Sequence, residues 1–142
     1  MCIRVARNQD SSALFELVRQ FPTPTPSDAV TFERMLNAKV GDPTSRVAVA
    51  EMGGSLCGYT SGSRRSAFYA NGDTAWVDEI LVVETCRGQG IGRLLMKDFE
   101  SWAQDSGCVL IGLATAGARS FYEHLGYGSK AGYFKKYIPR DA

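Results

Sequence analysis

The pattern of apolar and polar residues predicts short strands interspersed with amphipathic helices. Segments with alternating or continuous apolar character predict strands over residues 3–6, 46–51, 55–63, 74–83, 109–113 and 132–138. Gly53 and Gly54 lie between the second and third of these and predict a hairpin turn. Residues 64–73 are predicted to form a longer loop into the fourth strand.

Apolar residues spaced three and four apart predict helices between these strands. The predicted helices are a segment after Asp10 that carries Leu14, Leu17 and Val18, and residues 28–39, 91–106 and 118–125. Asp10 and Ser27 are the predicted N-caps of the first two helices. F-P-T-P-T-P at 21–26 cannot be helical, because proline also forces the preceding residue into extended conformations. The order β-α-α-β-β-β-α-β-α-β predicts one α/β (α+β) domain over residues 1–142, built around a mixed sheet.

Composition narrows the classes of partner. Sixteen lysines and arginines balance fifteen acidic residues for a formal net charge of +1, so neither nucleic acid nor an anionic membrane is an expected partner. No stretch has signal-peptide character or approaches the ~20 apolar residues of a membrane span, which predicts a cytoplasmic protein. Four scattered cysteines and a single histidine predict reduced thiols and no metal site.

A glycine-rich turn, R-G-Q-G-I-G at 87–92, stands between an apolar strand and a helix. Backbone N–H groups at such a helix start bind anions, and three glycines are costly in chain entropy for a turn without a ligand. A dinucleotide-binding fingerprint does not fit, because Arg93 occupies the place of its third glycine. The following strand also ends without the required acidic residue. A Walker A loop is excluded because the chain contains no G-K-[ST].

The turn fits a different pattern, [QR]-x-x-G-x-[GA], through Arg87, Gly90 and Gly92. The segment F-Y-E-H-L-G-Y follows at 121–127 and fits F-Y-E-x-L-G-[FY]. With both motifs, the region from about 74 to 138 resembles the GNAT superfamily of N-acetyltransferases. The resemblance implies a mixed, mostly antiparallel sheet of six to seven strands flanked by about four helices. It also implies that two strands splay apart at an acetyl-CoA site.

The resemblance places acetyl-CoA as co-substrate along one strand and the glycine turn. The strand lines the pantetheine arm, and a backbone N–H of Val82 or Val83 is a candidate to hold the thioester oxyanion. N–H groups of the turn bind the pyrophosphate, and Arg87 and Arg93 add positive charge. The implied acetyl-CoA-binding residues are Ile80, Leu81, Val82, Val83, Arg87, Gly88, Gln89, Gly90, Ile91, Gly92, Arg93, Thr115 and Tyr122.

Two residues are candidates for proton transfer. Tyr122 matches the family tyrosine beside the thioester sulfur and is the candidate general acid. Glu79, an acid within an apolar strand, is the candidate base, with Asp78 or water as alternatives. Simple strand alternation allows only one of Asp78 and Glu79 to face the acceptor. His124 is predicted to lie on the surface. Thr115 stands where many relatives have asparagine, which puts a pantetheine or water contact in doubt.

The expected reaction is direct transfer of an acetyl group to the primary amine of a small molecule. A protein or peptide N-acetyltransferase and a non-catalytic acyl-CoA-binding sensor are the alternatives. Leu110, where some protein-acetylating relatives carry glutamate, weakens the first alternative. The resemblance also makes a homodimer possible, since homodimers are common in the GNAT superfamily, but the sequence identifies no interface. Candidates to line the acceptor site are Phe21, Asp28, Phe68, Tyr69 and Trp76.

Overall fold

A computed structural model describes residues 1–140 as a single five-stranded sheet with helices on both faces. The strands lie side by side in chain order. All neighbouring pairs are antiparallel except the parallel pair β4–β5. The strands are β1 (Cys2–Val5), β2 (Ser45–Met52), β3 (Ser55–Ala67), β4 (Gly72–Val82) and β5 (Cys108–Leu113). The helices are α1 (Ser11–Val18), α2 (Ala29–Val40), α3 (Ile91–Asp105) and α4 (Arg119–His124).

The β3–β4 hairpin is longer than the sequence predicts. Most of the loop expected at 64–73 is strand, because β3 continues to Ala67 and pairs there with Gly72 at the start of β4. A short 3-10 turn at Phe68–Ala70 closes the hairpin. Asn71 follows it with a φ of 53°, a left-handed conformation that asparagine tolerates better than most residues.

The prediction of six to seven strands is wrong for residues 1–140, where the sheet has five strands. The difference lies at residues 132–138, which alternate in sequence but pair with no strand in this part of the chain. Alternation shows which faces a strand would present, whereas a strand also needs a neighbouring edge for its backbone groups. Tyr133 instead stacks its ring on Trp76 of β4, with ring centroids 6.2 Å apart.

Helices α1 and α2 begin near their predicted positions, but the residues that cap them differ from the prediction. Asp10 precedes α1 without capping it, because its carboxylate accepts hydrogen bonds from the Arg4 guanidinium and the Arg7 N–H. The cap of α2 is Asp28 rather than Ser27. Its side chain accepts from the Thr31 N–H at 2.8 Å. Because the proline-rich segment ends at Pro26, the residues after it are free to begin a helix.

Strand alternation gives each sheet face its own core. On one face, here the α1–α2 face, side chains of α1 and α2 bury those of the strands in a cluster of Ala6, Leu14, Leu17, Leu36, Val47, Val49, Tyr59 and Leu81. On the opposite α3–α4 face, two clusters form beneath α3 and α4, containing Ala50, Cys57, Ala75, Val77, Ile91, Leu95, Met96, Phe99, Ala103 and Tyr122. Each large buried apolar side chain contributes about 1.5–3 kcal/mol, so these clusters fix the strands that border the site.

The helices described over residues 1–140 include none long and apolar enough to cross a membrane.

Candidate active site

The parallel strands β4 and β5 separate halfway along β4. Their pairing runs from Asp73 opposite Cys108 to Val77 opposite Leu113 and then stops. Beyond Val77, β4 continues to Val82 paired only with β3. The sheet therefore has an opening beside the second half of β4, where the sequence predicts that strands splay.

Backbone groups of β4 line this opening. The Val83 N–H donates to the Cys57 carbonyl of β3 at 2.9 Å. In an antiparallel pair successive residues direct these groups to opposite sides, so the N–H and C=O groups of Val82 and Ile80 face the opening. Of the two N–H groups predicted to hold an oxyanion, that of Val83 is already engaged in the sheet. Only the Val82 N–H remains a candidate.

The side chains of this segment divide between the two cores. Ile80 and Val82 pack on the α3–α4 face, and Leu81 is buried in the α1–α2 cluster. Val83 packs with Val82 against the cluster beneath α3 rather than beside Leu81. Strict alternation over the predicted strand 74–83 is thus wrong at its end, because the strand stops at Val82 and a 3-10 turn begins. Leu81 can offer a ligand little beyond its backbone.

The glycine turn leaves a row of backbone donors without partners. Gly88 and Gly90 have φ values of 79° and 82°, which glycine adopts at little cost. None of the N–H groups from Gly88 to Arg93 donates to another group of residues 1–140. They lie at the positive end of the fifteen-residue helix α3, and a Cβ at Gly88 or Gly90 would meet nothing within 4 Å. This end of α3 therefore offers an accessible anion site.

Side chains around the turn have distinct roles. Ile91 is only 2% exposed, so its side chain belongs to the core and only its N–H faces outward. Gln89 and Arg93 are exposed. Arg87 donates from Nε to the Val82 carbonyl at 2.9 Å, which ties the turn to the end of β4. At Gly92 a Cβ would lie 3.4 Å from the Phe121 ring, which is an ordinary van der Waals distance.

Tyr122 lies beside the opening. Its side chain is 7% exposed and shares a cluster with Val77, the last β4 residue paired to β5, and with Ile80. The rings of Phe121 and Tyr127 meet it edge-on, at centroid distances of 4.9 and 6.0 Å. The hydroxyl bonds to no group among residues 1–140, yet it is not fully enclosed by them. Burial raises the pKa of Tyr122, which keeps the phenol protonated.

Glu79 lies on the α1–α2 face of the same strand. Its Oε1 accepts a hydrogen bond from the hydroxyl of Tyr59 at 2.8 Å. Tyr59 is 2% exposed and is anchored in the core beside Leu81. The sequence gives no sign of this partner, because Tyr59 belongs to no motif and has the ordinary pattern of an inward strand residue.

Asp78 is the extra residue of a β-bulge. Ser61 pairs with Glu79 while Gly62 pairs with Val77, which leaves Asp78 without an opposing residue. Alternation therefore breaks between Val77 and Glu79, so it does not decide which of the two acids faces the acceptor. Although the residue is exposed, loss of hydration raises the pKa of the Asp78 carboxyl. The positive charges of Lys39 and Arg65 partly offset this effect.

Two further residues of the motif region have local partners. The Thr115 hydroxyl accepts a hydrogen bond from the Ala118 N–H at 3.1 Å and helps to set the start of α4. His124 is exposed, as predicted, and its Nδ1 lies 2.7 Å from the Ser120 carbonyl oxygen.

The residues expected to line the acceptor site are not all near the opening. Phe68 and Tyr69 are 106% and 82% exposed at the tip of the β3–β4 hairpin. Seven strand residues separate that tip from Glu79, a distance of about 20 Å. Phe21 packs against the α1–α2 core and Asp28 caps α2. Trp76 remains a candidate, since it precedes the bulge on β4 and is only partly buried.

Groups of three or more metal-ligating side chains are absent from residues 1–140. The donor set instead suits a polyanionic thioester such as acetyl-CoA. Unpartnered N–H groups at the start of α3 match its pyrophosphate, and the free strand edge matches its amide-bearing arm.

Comparison with known proteins agrees with this geometry. The family model described as "Acetyltransferase (GNAT) family" matches residues 11–127. No curated protein matches this sequence significantly. Glucosamine-6-phosphate N-acetyltransferase from Arabidopsis thaliana superposes with a TM-score of 0.86 at 21% identity, covering 97% of this chain and 98% of that one.

Two further structures share the fold. A transcriptional regulator from Bacillus halodurans C-125 has a TM-score of 0.85 at 24% identity, with 96% and 99% of the two chains covered. AAC(6')-Iy, in complex with the bisubstrate analogue CoA-S-monomethyl-acetylneamine, has a TM-score of 0.81 at 16% identity over 96% and 98%. Because the family model covers most of the sequence, the chain belongs to the GNAT family of acetyltransferases.

Proposed function

We propose that this protein transfers the acetyl group of acetyl-CoA to the primary amine of a small molecule. The observation that carries the proposal is the unpartnered row of N–H groups at the start of α3. It directly follows β4, whose edge is free beyond Val77, and the Tyr122 side chain packs with Val77 and Ile80 of that strand. One end of acetyl-CoA would be bound at the turn, while its arm runs along β4 towards Tyr122.

Binding of acetyl-CoA would rest mostly on backbone groups. The donors from Gly88 to Arg93 would hold the pyrophosphate, and the N–H and C=O groups of Ile80 that face the opening would bind the pantetheine arm. The Val82 carbonyl is shared with Arg87, and the Val82 N–H is left for the thioester. Arg93 and Gln89 are exposed next to the turn and would add contacts there. Ile91 and Gly92 would take part through their N–H groups, and Thr115 lies before α4 on the other side of the opening.

The chemistry requires proton transfer at two places. Acetyl-CoA supplies an activated thioester, and the acceptor amine must be deprotonated before it can attack the carbonyl carbon. Glu79, alone or through water, would take that proton, with Asp78 as the alternative base. The C–N bond forms as the C–S bond breaks, and Tyr122 would give its proton to the departing thiolate. The second proton of the amine nitrogen would then return to the Tyr122 oxygen or pass to water. The Val82 N–H would stabilise negative charge on the carbonyl oxygen.

The preference for a small molecule rests on two of the structural neighbours. The names of these two proteins specify glucosamine 6-phosphate as substrate and an acetylated neamine as part of a bound analogue. We also expect action in the cytosol, because all four cysteines are free thiols of the kind that a reducing compartment maintains.

The test combines binding with turnover. Acetyl-CoA is titrated calorimetrically, and thiol release is then followed with polyamines, aminoglycosides, amino sugars, amino acids and short peptides. Turnover with a small amine is expected. Turnover with peptides alone would replace the small-molecule proposal with peptide acetylation. Binding without thiol release would identify a sensor, and absence of binding would overturn the placement of acetyl-CoA at the glycine turn.

A further inference from the structure

Tyr59 and Glu79 form a hydrogen-bonded pair on the α1–α2 face of the sheet. The two residues belong to adjacent strands and stand diagonally across the ladder, since Tyr59 pairs with Leu81 and Glu79 pairs with Ser61. Their side chains meet at 2.8 Å between the Tyr59 hydroxyl and Oε1 of Glu79. This is the only hydrogen bond that the Glu79 carboxylate makes within residues 1–140.

The donor in this pair has little freedom to move. The Tyr59 ring is held in the same core cluster as Leu14 of α1 and Leu36 of α2. Burial, and next the negative charge of Glu79, raise the pKa of Tyr59 far above its ordinary value, so the hydroxyl keeps its single proton. A fixed, protonated phenol can only donate towards the carboxylate, and this contact restrains the rotamer of Glu79.

The bulge lies directly before Glu79. With Asp78 unpaired, the backbone immediately before Glu79 departs from regular strand geometry, and regular pairing alone does not fix the direction of the side chain. The Tyr59 bond engages one oxygen of the carboxylate. Oε2 is left without a partner among residues 1–140 and can meet an incoming amine.

We propose that Tyr59 is a positioning residue, whose hydroxyl holds Glu79 with one oxygen engaged and the other directed to the acceptor. The inference rests on the proposed function, in which Glu79 removes the proton of the amine. Because Tyr59 is only 2% exposed, it would act through Glu79 and not by touching a substrate.

The test is a double-mutant cycle on the turnover of an accepted amine. Tyr59→Phe removes only the hydroxyl and should lower kcat roughly 10-fold, as expected for one hydrogen bond to a charged group, while the Kd of acetyl-CoA stays unchanged. In a Glu79→Gln background, the same substitution should cause no further loss, because no base remains to be positioned. Tyr69→Phe, at the exposed hairpin tip, is the matched control and should behave like the wild type.

Each outcome separates this inference from the proposed function. Equal kcat for Tyr59→Phe and the wild type would overturn the inference and leave the function intact. An equal loss in both backgrounds would show a merely structural role and would also overturn it. If Tyr59→Phe does not fold, Glu79→Asp tests the same restraint. The shorter carboxylate cannot bond to Tyr59 with one oxygen and reach the amine with the other, so kcat should fall. A kcat equal to that of the wild type would contradict the inference. An inactive wild type would overturn both proposals together.

Discussion

A buried ring with an unpartnered hydroxyl distinguishes Tyr122 from the other buried tyrosine of the core. The Tyr59 hydroxyl donates a hydrogen bond to Glu79, whereas the hydroxyl of Tyr122 bonds to no group in residues 1–140. The Tyr122 side chain packs with Val77 and Ile80 of β4, beside the opening. Because burial of Tyr122 raises its pKa above the ordinary value of 10, the phenol stays protonated across the neutral range. This is the state required of a general acid.

Replacing Tyr122 by phenylalanine should lower turnover by about 10- to 1000-fold, because only the proton donor is lost. Calorimetric affinity for acetyl-CoA should remain close to that of the wild type. In the wild type, turnover should not decline below about pH 10 through ionisation of Tyr122, since its pKa is raised. A mutant with wild-type kcat would remove Tyr122 from the mechanism.

Sequence points to single residues where a motif carries them. The glycines of the turn and Tyr122 were open to prediction because each stands in a motif of the family, and their roles stay predictions. Tyr59 could not be named, since its role depends on a diagonal contact between two strands, and many inward tyrosines have the same pattern. Simple alternation puts Asp78 and Glu79 on opposite faces of the strand, and a single bulged residue breaks that alternation.

Among the elements, the strand-turn-helix unit from β4 to α3 builds most of the candidate site. Its left-handed glycines turn successive N–H groups outward, and the helix behind them adds its positive end. The anion site consists of backbone N–H groups. A substitution in the glycine turn therefore acts by changing the backbone conformation or by filling the space in front of these groups.

Gly90→Val should abolish acetyl-CoA binding, because a branched side chain is strained at a φ of 82° and projects into the open space beside the donors. Gly54→Val is the matched control. Gly54 has the same φ of 82° and the same open surroundings, but it lies in the β2–β3 turn. Calorimetry should show lost binding only for the first mutant, although both are expected to lose roughly 1–2 kcal/mol of stability. Normal affinity of a folded Gly90→Val protein would contradict the pyrophosphate site.

Gly62 lies beside the bulge of the β3–β4 hairpin, where a side chain has no room. A Cβ at Gly62 would lie 2.5 Å from the Phe99 ring of α3 and would also collide with the Trp76 carbonyl. Gly62→Ala should therefore lower the free energy of unfolding by at least about 2 kcal/mol, measured by urea denaturation. Gly41→Ala, with nothing within 4 Å and a φ of −91°, should change stability by less than about 1 kcal/mol. Equal effects would show that this close packing is not the reason for the glycine.

Local patterns predict the elements more reliably than their pairing. The first hairpin, the helices and the strand before the glycine turn have strong periodicity and are close to their predicted bounds. The bulge, the full length of β3 and the unpaired state of residues 132–138 depend on contacts between distant segments. The local pattern of a single sequence contains no information on such distant contacts, so it does not predict these three features.

At the scale of the whole molecule, a partly buried ion pair joins the N-terminal strand to the first helical segment. Both nitrogens of the Arg4 fork contact the Asp10 carboxylate, at 2.9 and 2.8 Å, and Asp10 is 8% exposed. The hydrogen bonds from Arg4 hold the pKa of Asp10 below its ordinary range. The pair thereby links β1, at one edge of the sheet, to the helices of the α1–α2 face.

Asp10→Asn should destabilise the protein by roughly 2 kcal/mol at pH 7, because Arg4 loses its two-pronged contact and keeps only the longer one to Glu51, at 3.4 Å. The folded pKa of Asp10 is depressed, so its contribution is full above the unfolded value near 3.9 and is lost as the pH falls through the folded value. Urea denaturation should therefore show the difference from the wild type shrinking below about pH 4. Glu16→Gln, which breaks an exposed pair with Arg19, should shift stability by less than about 0.5 kcal/mol at either pH. A pH-independent loss for Asp10→Asn would disprove the linkage.

The contact of Arg87 with Val82 has a consequence for the protein between turnovers. The unpaired N–H and C=O groups of an open strand edge can pair with a strand of another molecule, and such pairing leads to aggregation. By donating to the Val82 carbonyl, the Arg87 side chain covers one acceptor of that edge from within the same chain. A strand of a second molecule therefore finds one backbone acceptor fewer at this edge. If acetyl-CoA binds along β4 as proposed, its amide must share or displace the contact of Arg87 with Val82.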